Sequence, residues 1–188
     1  MNTIGDAGRR PADETPDVDE ERPLHHHRAD ILEEIDSTWF GAALSPETQA
    51  RLAKLARPLE LAPGTKLLRE GETTDDLSIV VAGRVSLSMH VPERGMVEIL
   101  TVEPGDIVGW SALVAPHRAT SECVAVDRVE LLAFNGAELR AALRADHALA
   151  ASVYPRILQV VSRRLAATRF QLLDLFATDR PSAERPSR

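Results

Sequence analysis

The sequence predicts a mainly β domain with flanking helices: an antiparallel β-roll (jelly roll) preceded by two short helices and closed by a long C-terminal helix. Three observations predict this class. Apolar residues recur with a period of two between about Leu59 and Phe134, and glycine-rich turns interrupt that pattern at short intervals. Helical spacing then returns from Gly136 to Phe176. At 188 residues the chain is long enough for one domain with extensions.

Both ends of the chain have the composition of unfolded segments. Residues 1–28 combine prolines and many charges with almost no large apolar side chains, so they bury too little surface to offset the entropy of ordering. We therefore predict a disordered acidic arm over 1–28, a folded domain over 29–176 and a disordered tail over 177–188. The histidines at 25–27 lie in this arm, and without fixed neighbours they do not make a metal site.

Two short helices are predicted before the first strand. The apolar residues between Ile31 and Phe40 fall at helical spacings. The next segment, SPETQARLAKLA, opens with Ser45, which suits an N-cap, and Pro46, which suits the first helical position. These helices are expected to lie against the β-roll that follows.

The strands are predicted as short segments between turns. PGT, REGETTDD, AGR, PERG and EPGD have turn composition, and the segments between and after them have strand composition: KLLRE, LSIVVA, VSLSMHV, MVEILTV, ATSECVAV and VELLAF. In VSLSMHV the apolar residues from Val85 to Val91 alternate with Ser86, Ser88 and His90, as a half-buried strand requires. Short strands at this spacing are typical of a small barrel or jelly roll.

Two helices are predicted after the last strand, one over AELRAALRA, ending near Asp146, and a long one over about 147–176. On the long helix an apolar stripe repeats at alternating steps of three and four, a spacing typical of a two-stranded coiled coil. We call this stripe the seam: Leu158, Val161, Leu165, Thr168, Leu172 and Leu175. The seam either packs on its own barrel or pairs with a second copy. We favour a homodimer because Ile157, Val160 and Leu173 lie off the stripe and can make the intramolecular contact.

Composition argues against several classes of function. The formal net charge of -7 disfavours nucleic acid or an anionic membrane as a partner, because both favour a basic face. No apolar stretch suits a membrane helix or a signal peptide. Cys123, the single cysteine, excludes an internal disulfide and fits a reducing cytoplasm. It is predicted inside a strand with no histidine placed to activate it, so we expect no enzyme.

The order of these elements resembles the cyclic-nucleotide-binding domain. The resemblance is carried by the turn glycines of PGTKLLREGETTDDLSIVVAGRVSL and EPGDIVGW, followed by SALV and ATSECVAV, and it spans about residues 30–176. The family includes the sensory domain of catabolite-activator and FNR-type bacterial regulators and the regulatory subunit of cyclic-AMP-dependent kinase. The resemblance implies the same β-roll, two N-terminal helices and a C-terminal dimerisation helix.

In that family a phosphate cassette begins with glycine and glutamate, runs through a short helix and ends ten residues after the glycine with an arginine. Backbone N–H groups and the arginine hold the cyclic phosphate, and the glutamate accepts a hydrogen bond from the ribose. Aligned without a gap, Gly109, Ala112 and Leu113 match, but Trp110 stands at the glutamate position and Ala119 at the arginine position. An indole cannot accept that hydrogen bond, so Trp110 either fills the ribose space or stacks on a different ligand.

The remaining candidate residues lie around this cassette and on the long helix. A gap that moved Arg118 into the arginine slot would turn the next strand inside out, so we expect Arg118 to point away from the pocket. Ser111 lies in the short helix, and Thr120 can still donate to an anion. Thr168 matches the base-contacting threonine of the catabolite-activator helix and Arg164 its neighbouring arginine. Alternatively, Thr168 is a tolerated seam residue and Arg164 a solvated charge.

A further departure is at the end of the chain. Catabolite-activator proteins continue into a helix-turn-helix domain, whereas a short polar tail follows Phe176 here, so we expect no direct promoter binding. The prediction is a cytoplasmic, homodimeric, non-enzymatic regulatory module that does not bind cyclic AMP in the family manner and acts through a protein partner or another small ligand. The alternative is a sensor of cyclic AMP or cyclic GMP in which Arg118 or Arg164 replaces the lost arginine.

Overall fold

The computed structural model describes residues 22–23 and 28–178, with side chains described over 29–170. Within this part the chain forms two antiparallel β-sheets with flanking helices, which confirms the predicted fold class. The helices are α1 (Arg28–Ser37), α2 (Pro46–Ala53), α3 (Gly136–Ala145) and α4 (His147–Thr178), and a 3₁₀ helix spans Trp110–Leu113. The strands are β1 (Arg22–Pro23), β2 (Ala56–Leu61), β3 (Lys66–Leu68), β4 (Asp76–Ala82), β5 (Val85–Val91), β6 (Gly95–Val102), β7 (Ile107–Val108), β8 (Glu122–Ala125) and β9 (Val129–Asn135).

The terminal segments predicted to be disordered fall almost wholly outside the described residues. Within the predicted arm, Arg22–Pro23 pairs with β2 and Arg28 begins α1. Within the predicted tail, α4 continues to Thr178. The three histidines at 25–27 lie outside the described part of the chain.

The two sheets share one core, and the helices build a second core on the outer face of the larger sheet. The five-stranded sheet has the order β1-β2-β9-β4-β7, and the four-stranded sheet has the order β3-β8-β5-β6. Strand β9 contributes to both cores, because alternate residues of a strand point to opposite faces. Leu131 and Ala133 pack between the sheets, whereas Leu132 and Phe134 pack against the helices. This double burial explains why β9 is almost continuously apolar.

The predicted alternation in β5 is confirmed. Val85 and Leu87 are buried between the sheets, whereas Ser86 is half-buried and His90 is exposed. Strand β5 lies between β6 and β8, and Leu87 is opposite Cys123 in the register with β8. The inner face of β5 therefore lines the interior of the roll.

The predicted N-cap of α2 is also confirmed. The Ser45 hydroxyl oxygen accepts a hydrogen bond from the Thr48 amide at 3.2 Å, and Pro46 is the first residue of α2. Helix α1 ends at Ser37, so Trp39 lies in the turn that follows, with 41% of its surface exposed.

Helices α3 and α4 meet at Asp146. Its Oδ1 accepts a hydrogen bond from the Leu149 amide at 3.0 Å and so caps the start of α4. The face of α4 that packs on the rest of the molecule is fully buried and carries Leu149, Val153, Ile157 and Val160. The intramolecular contact of α4 thus includes Ile157 and Val160, the off-seam residues expected to make it; Leu173 lies outside the described side chains.

The strand predictions were incomplete at several points, and KLLRE, for example, shortens to Lys66–Leu68. Strand β2 was not predicted, because Pro58 near its middle argues against a strand. Strand β7 has two residues, too few to show any period. The predicted strand ATSECVAV shortens to Glu122–Ala125, since the backbone before it turns to bond with the loop at Gly71 and Glu72.

Candidate ligand-binding site

Gly109 sets the entry to the 3₁₀ helix. Its φ of 74° is left-handed, and a Cβ placed there would lie 2.2 Å from the Asp76 carbonyl oxygen, so another residue would clash with β4. The Ala112 amide then donates to the Gly109 carbonyl at 2.9 Å and closes the short turn. Ser111, Ala112 and Leu113 are buried behind it. The short helix is therefore held rigidly against the larger sheet.

The segment that returns from the short helix is fixed to the loop before β4. The Ala119 amide donates to the Glu72 carbonyl and the Gly71 amide donates to the Ala119 carbonyl, both at 2.8 Å. Ala119 itself is 5% exposed. Arg118 is exposed, and its Nη1 donates to the Gly71 carbonyl at 2.7 Å. Arg118 therefore lies on the outside of the roll.

A cavity, named the main cavity from here on, lies between the short helix, the smaller sheet and α4. Its volume is about 310 Å³. Seven apolar residues, three hydroxyl residues and one cation line it: Leu87, Met89, Ile99, Leu100, Trp110, Val161, Leu165, Thr120, Ser121, Thr168 and Arg164. No carboxylate is among them.

Four of the ten candidate pocket residues line this main cavity: Trp110, Thr120, Arg164 and Thr168. The other six do not line it: Gly109, Ser111, Ala112, Leu113, Arg118 and Ala119. Gly109 instead borders a smaller cavity of about 180 Å³ together with Asp75 and Asp76. Because the two carboxylates repel negative charge, they disfavour an anion in this smaller cavity.

Trp110 connects the main cavity to the helical core. Its side chain is half-buried and packs against the core formed by the helices and the larger sheet, and it also forms part of the cavity wall. The indole therefore contributes a large apolar surface to the cavity wall.

Arg164 brings a positive charge to the main cavity from α4. Its Nη2 donates to the Ile107 carbonyl, while its Nε is buried without a hydrogen-bond partner in the described structure. Burial lowers the pKa of the Arg164 guanidinium, and attraction to Asp106 acts in the opposite direction. Asp106 is already engaged, since its Oδ1 accepts from the Ile107 amide at 2.8 Å and lies 3.4 Å from Arg163 Nη2. Arg164 is thus a half-buried cation whose hydrogen bonds are incomplete.

The three hydroxyl residues of the cavity wall differ in their hydrogen bonding and exposure. The Thr168 hydroxyl donates to the Arg164 carbonyl at 2.9 Å, within α4, so its hydrogen is already used. Thr120 is exposed and Ser121 is half-buried at the cavity wall. Ser121 and the apolar residues Leu87 and Met89 were not among the predicted pocket residues. The alternation of β5 and of the segment leading to Cys123 could have indicated them.

The seam of α4 is only partly covered by its own chain, since Val161 packs against the helical core while its neighbours in the seam are more exposed. Leu158 is 67% and Leu165 51% exposed, and Val161 and Thr168 are half-buried. Val161, Leu165 and Thr168 also line the main cavity. Leu172 and Leu175 lie outside the described side chains.

A second contact on α4 was not predicted from the sequence. The Arg163 guanidinium carbon lies 4.0 Å from the centroid of a Trp39 ring, and that of Arg156 lies 5.2 Å from it. Arg163 also forms an ion pair with Asp106. Two adjacent arginines of α4 therefore contact the start of β7, Arg163 at Asp106 and Arg164 at the Ile107 carbonyl. Long-range contacts of this kind leave no periodic pattern in a sequence.

Cys123 does not line the main cavity, but its thiol interacts with two residues that do, Arg164 and Ser121. Cys123 is buried, and burial raises the pKa of its thiol to about 11. The described residues contain no group of three histidine, cysteine or acidic side chains placed to hold a metal ion. Among the described helices, none is long and apolar enough to cross a bilayer.

A β-roll with a cavity beneath its closing helix has the architecture of a small-molecule-binding domain. Residues 58–146 match the family model described as "Cyclic nucleotide-binding domain", and over this region the chain belongs to that family. A CRP-like cAMP-activated global transcriptional regulator of Mycobacterium tuberculosis is 30% identical over 139 residues, which cover 73% of this chain and 60% of that protein.

Two further similarities are informative. The crystal structure of a cyclic nucleotide-binding domain from Methylobacillus flagellatus has a TM-score of 0.68 and 21% identity, covers 85% of this chain and 86% of that one, and supports the fold. Acetyltransferase Pat of Mycolicibacterium smegmatis is 33% identical over 90 residues, 48% of this chain and 27% of the enzyme. The chain thus spans 60% or less of the length of either curated relative.

Proposed function

We propose that this chain is a homodimeric, non-enzymatic regulatory module of the cytoplasm that does not bind cyclic AMP in the family manner. It senses another small ligand and passes its state to a protein partner. The main observation in support is the cavity wall, which has Trp110 where the family pattern has a glutamate and contains no carboxylate at all. The arginine position is occupied by Ala119, and Arg118 bonds to Gly71 outside the cavity.

A cyclic nucleotide would lose two contacts that the family pattern provides, one from the arginine to the phosphate and one from the glutamate to the ribose. Removing one partner of a buried, hydrogen-bonded charge pair costs ~2 to 5 kcal/mol, which is roughly thirty-fold to several-thousand-fold in affinity. Ribose hydroxyls would also face an apolar wall at Trp110 and Leu100, and an unpaired buried hydroxyl is costly. A cyclic nucleotide held in the family pose would therefore bind this cavity weakly.

Homodimerisation is supported by the exposure of the seam. Leu158 and Leu165 leave apolar surface on one face of α4 at coiled-coil spacing, while a different face of the helix is buried in its own chain. A non-enzymatic role is supported by the buried Cys123 thiol, whose raised pKa keeps it protonated near neutral pH. The likeness to the acetyltransferase covers 27% of that enzyme, so its activity is not carried over.

The alternative function is a sensor of cyclic AMP or cyclic GMP with a different phosphate clamp. It is favoured by one observation, the Arg164 cation at the main cavity, and by the mycobacterial relative, which is described as cAMP-activated. In this alternative Arg164 takes the role of the missing cassette arginine.

Calorimetric titration with cyclic AMP separates the two functions. The natural protein is compared with the double variant Trp110→Glu, Ala119→Arg, and thermal unfolding verifies that both are folded. The proposal expects no heat of binding for the natural protein and measurable binding for the variant. Binding of cyclic AMP to the natural protein at micromolar concentration or below would overturn the proposal and support the alternative.

A further inference from the structure

The main cavity has the chemistry of a site for one negative charge and one apolar group. Arg164 is the single charged residue in its wall, and seven of the eleven lining residues are apolar. The volume of about 310 Å³ would hold about ten waters at the space each occupies in the liquid. A fitting ligand is therefore a small molecule with one or two rings or a short branched chain.

Arg164 supplies the reason for an anion. A guanidinium has five N–H donors, and in half-buried Arg164 Nη2 bonds to the Ile107 carbonyl while Nε has no partner in the described structure. The carboxylate that acts on it, Asp106, is shared with Arg163 and the Ile107 amide. Because Nε is closed off from the cavity, an incoming anion would accept from the N–H groups of Arg164 that are not engaged with the Ile107 carbonyl.

The remaining wall selects the kind of anion. A carboxylate matches the planar guanidinium and can also accept from the hydroxyls of Thr120 and Ser121. One cation balances one charge, so a doubly charged phosphate monoester would retain an unpaired charge. The body of the ligand would pack on Leu87, Leu100 and the indole of Trp110.

We propose that the main cavity binds a small apolar monocarboxylate, with Arg164 of α4 rather than a cassette arginine as its charge partner. This inference rests on the proposed function, since it names the class of ligand that the regulatory module senses. It assigns to α4, the helix that carries the seam, the charged contact with the ligand.

The test is a calorimetric titration of the full chain with three carboxylates of increasing apolar size: acetate, 3-phenylpropanoate and indole-3-acetate. Each of the two aromatic acids is paired with its neutral amide. We expect the aromatic acids to bind, acetate to bind much more weakly because it lacks the apolar body, and the amides to lose binding roughly thirty-fold or more. Equal binding of acid and amide, or no binding of any acid at millimolar concentration, would refute the proposal.

Variants locate the contact. Arg164→Gln should weaken the aromatic acids by the same factor as the amide exchange, whereas Arg169→Gln, an exposed arginine on the same helix, should leave them unchanged. Arg164→Lys retains the charge without the planar fork and should give intermediate affinity, which covers the case that Arg164→Gln fails to fold. If Arg169→Gln weakens binding as much as Arg164→Gln, the assignment of Arg164 is wrong.

A cyclic AMP titration of the same samples distinguishes failure of the proposed function from failure of the carboxylate proposal. If the natural protein binds cyclic AMP tightly and Arg164→Gln abolishes that binding, both the proposed function and the carboxylate proposal are wrong. If cyclic AMP gives no heat of binding and acid and amide bind equally, the carboxylate proposal is wrong and the proposed function is not contradicted.

Discussion

Replacing Leu158 by glutamate should dissociate the proposed homodimer. Leu158 has 67% of its surface exposed in the described chain and does not line the main cavity, so the change affects the seam without touching the ligand. Leu165 is less suitable for this test, because it belongs to both the seam and the wall of the main cavity.

The expected effect follows from that exposed fraction. Complete burial of a leucine side chain contributes roughly 1.5 to 3 kcal/mol, so burying the two thirds left exposed contributes roughly 1 to 2 kcal/mol. In a two-fold dimer the contact occurs twice, which gives roughly 2 to 4 kcal/mol, or roughly a thirty-fold to a thousand-fold change in the dimer dissociation constant. Repulsion between two facing glutamates adds to this.

Sedimentation equilibrium over a range of concentrations measures the dissociation constant directly. Ser162→Glu is the matched control, because Ser162 is exposed on the same helix, lies off the seam and adds the same charge. The control should remain dimeric. If Leu158→Glu and the natural protein have the same dissociation constant, or if the natural protein is monomeric at high micromolar concentration, the seam does not join two copies and the reasoning from spacing and exposure is wrong.

Three further predictions concern the described structure. Gly109→Ala should lower the free energy of unfolding by about 2 kcal/mol or more in urea melts, because its Cβ meets the Asp76 carbonyl at a left-handed φ; an unchanged melt would contradict that geometry. At pH about 8 only roughly 0.1% of a Cys123 thiol with a pKa of about 11 is ionised, so iodoacetamide should label it slowly until denaturant exposes it; rapid labelling of the native protein would refute the burial. Trp39→Leu should cost about 0.5 to 1 kcal/mol of stability by removing the contact with Arg163 while leaving ligand affinity unchanged, which urea melts and titration check together.

Local chemistry explains how much of the fold could be predicted. The Ser45 cap, the alternation along β5 and the start of α4 after Asp146 each depend on neighbouring residues, and the sequence contains all of that information. Strand β2 was missed because Pro58 argues against a strand when only its neighbours are considered. Its pairing with β9 connects residues far apart in the chain, and no local pattern reports such a contact.

The candidate site divides in the same way. Trp110 and Ala119 were predicted as cassette positions from the resemblance, and Trp110 lines the main cavity whereas Ala119 does not. Alternation could indicate which residues of β5 face inward, but not that Leu100 of β6 and Leu165 of α4 meet at one cavity, because they lie on separate elements of the fold. The incomplete hydrogen bonding of Arg164 is also a three-dimensional property, since its partner Ile107 lies in β7, on a different element of the fold.

Val161, Leu165 and Thr168 belong to two surfaces at once, the seam and the wall of the main cavity. If a second copy covers the seam, occupancy of the cavity and association of the chains share the same side chains, and their free energies are coupled. Such coupling is reciprocal: a ligand that tightens the dimer by some factor must itself be bound more tightly by the dimer by that factor. The apparent ligand affinity would then rise with protein concentration, so the amount of this protein in a cell would set the ligand level to which it responds.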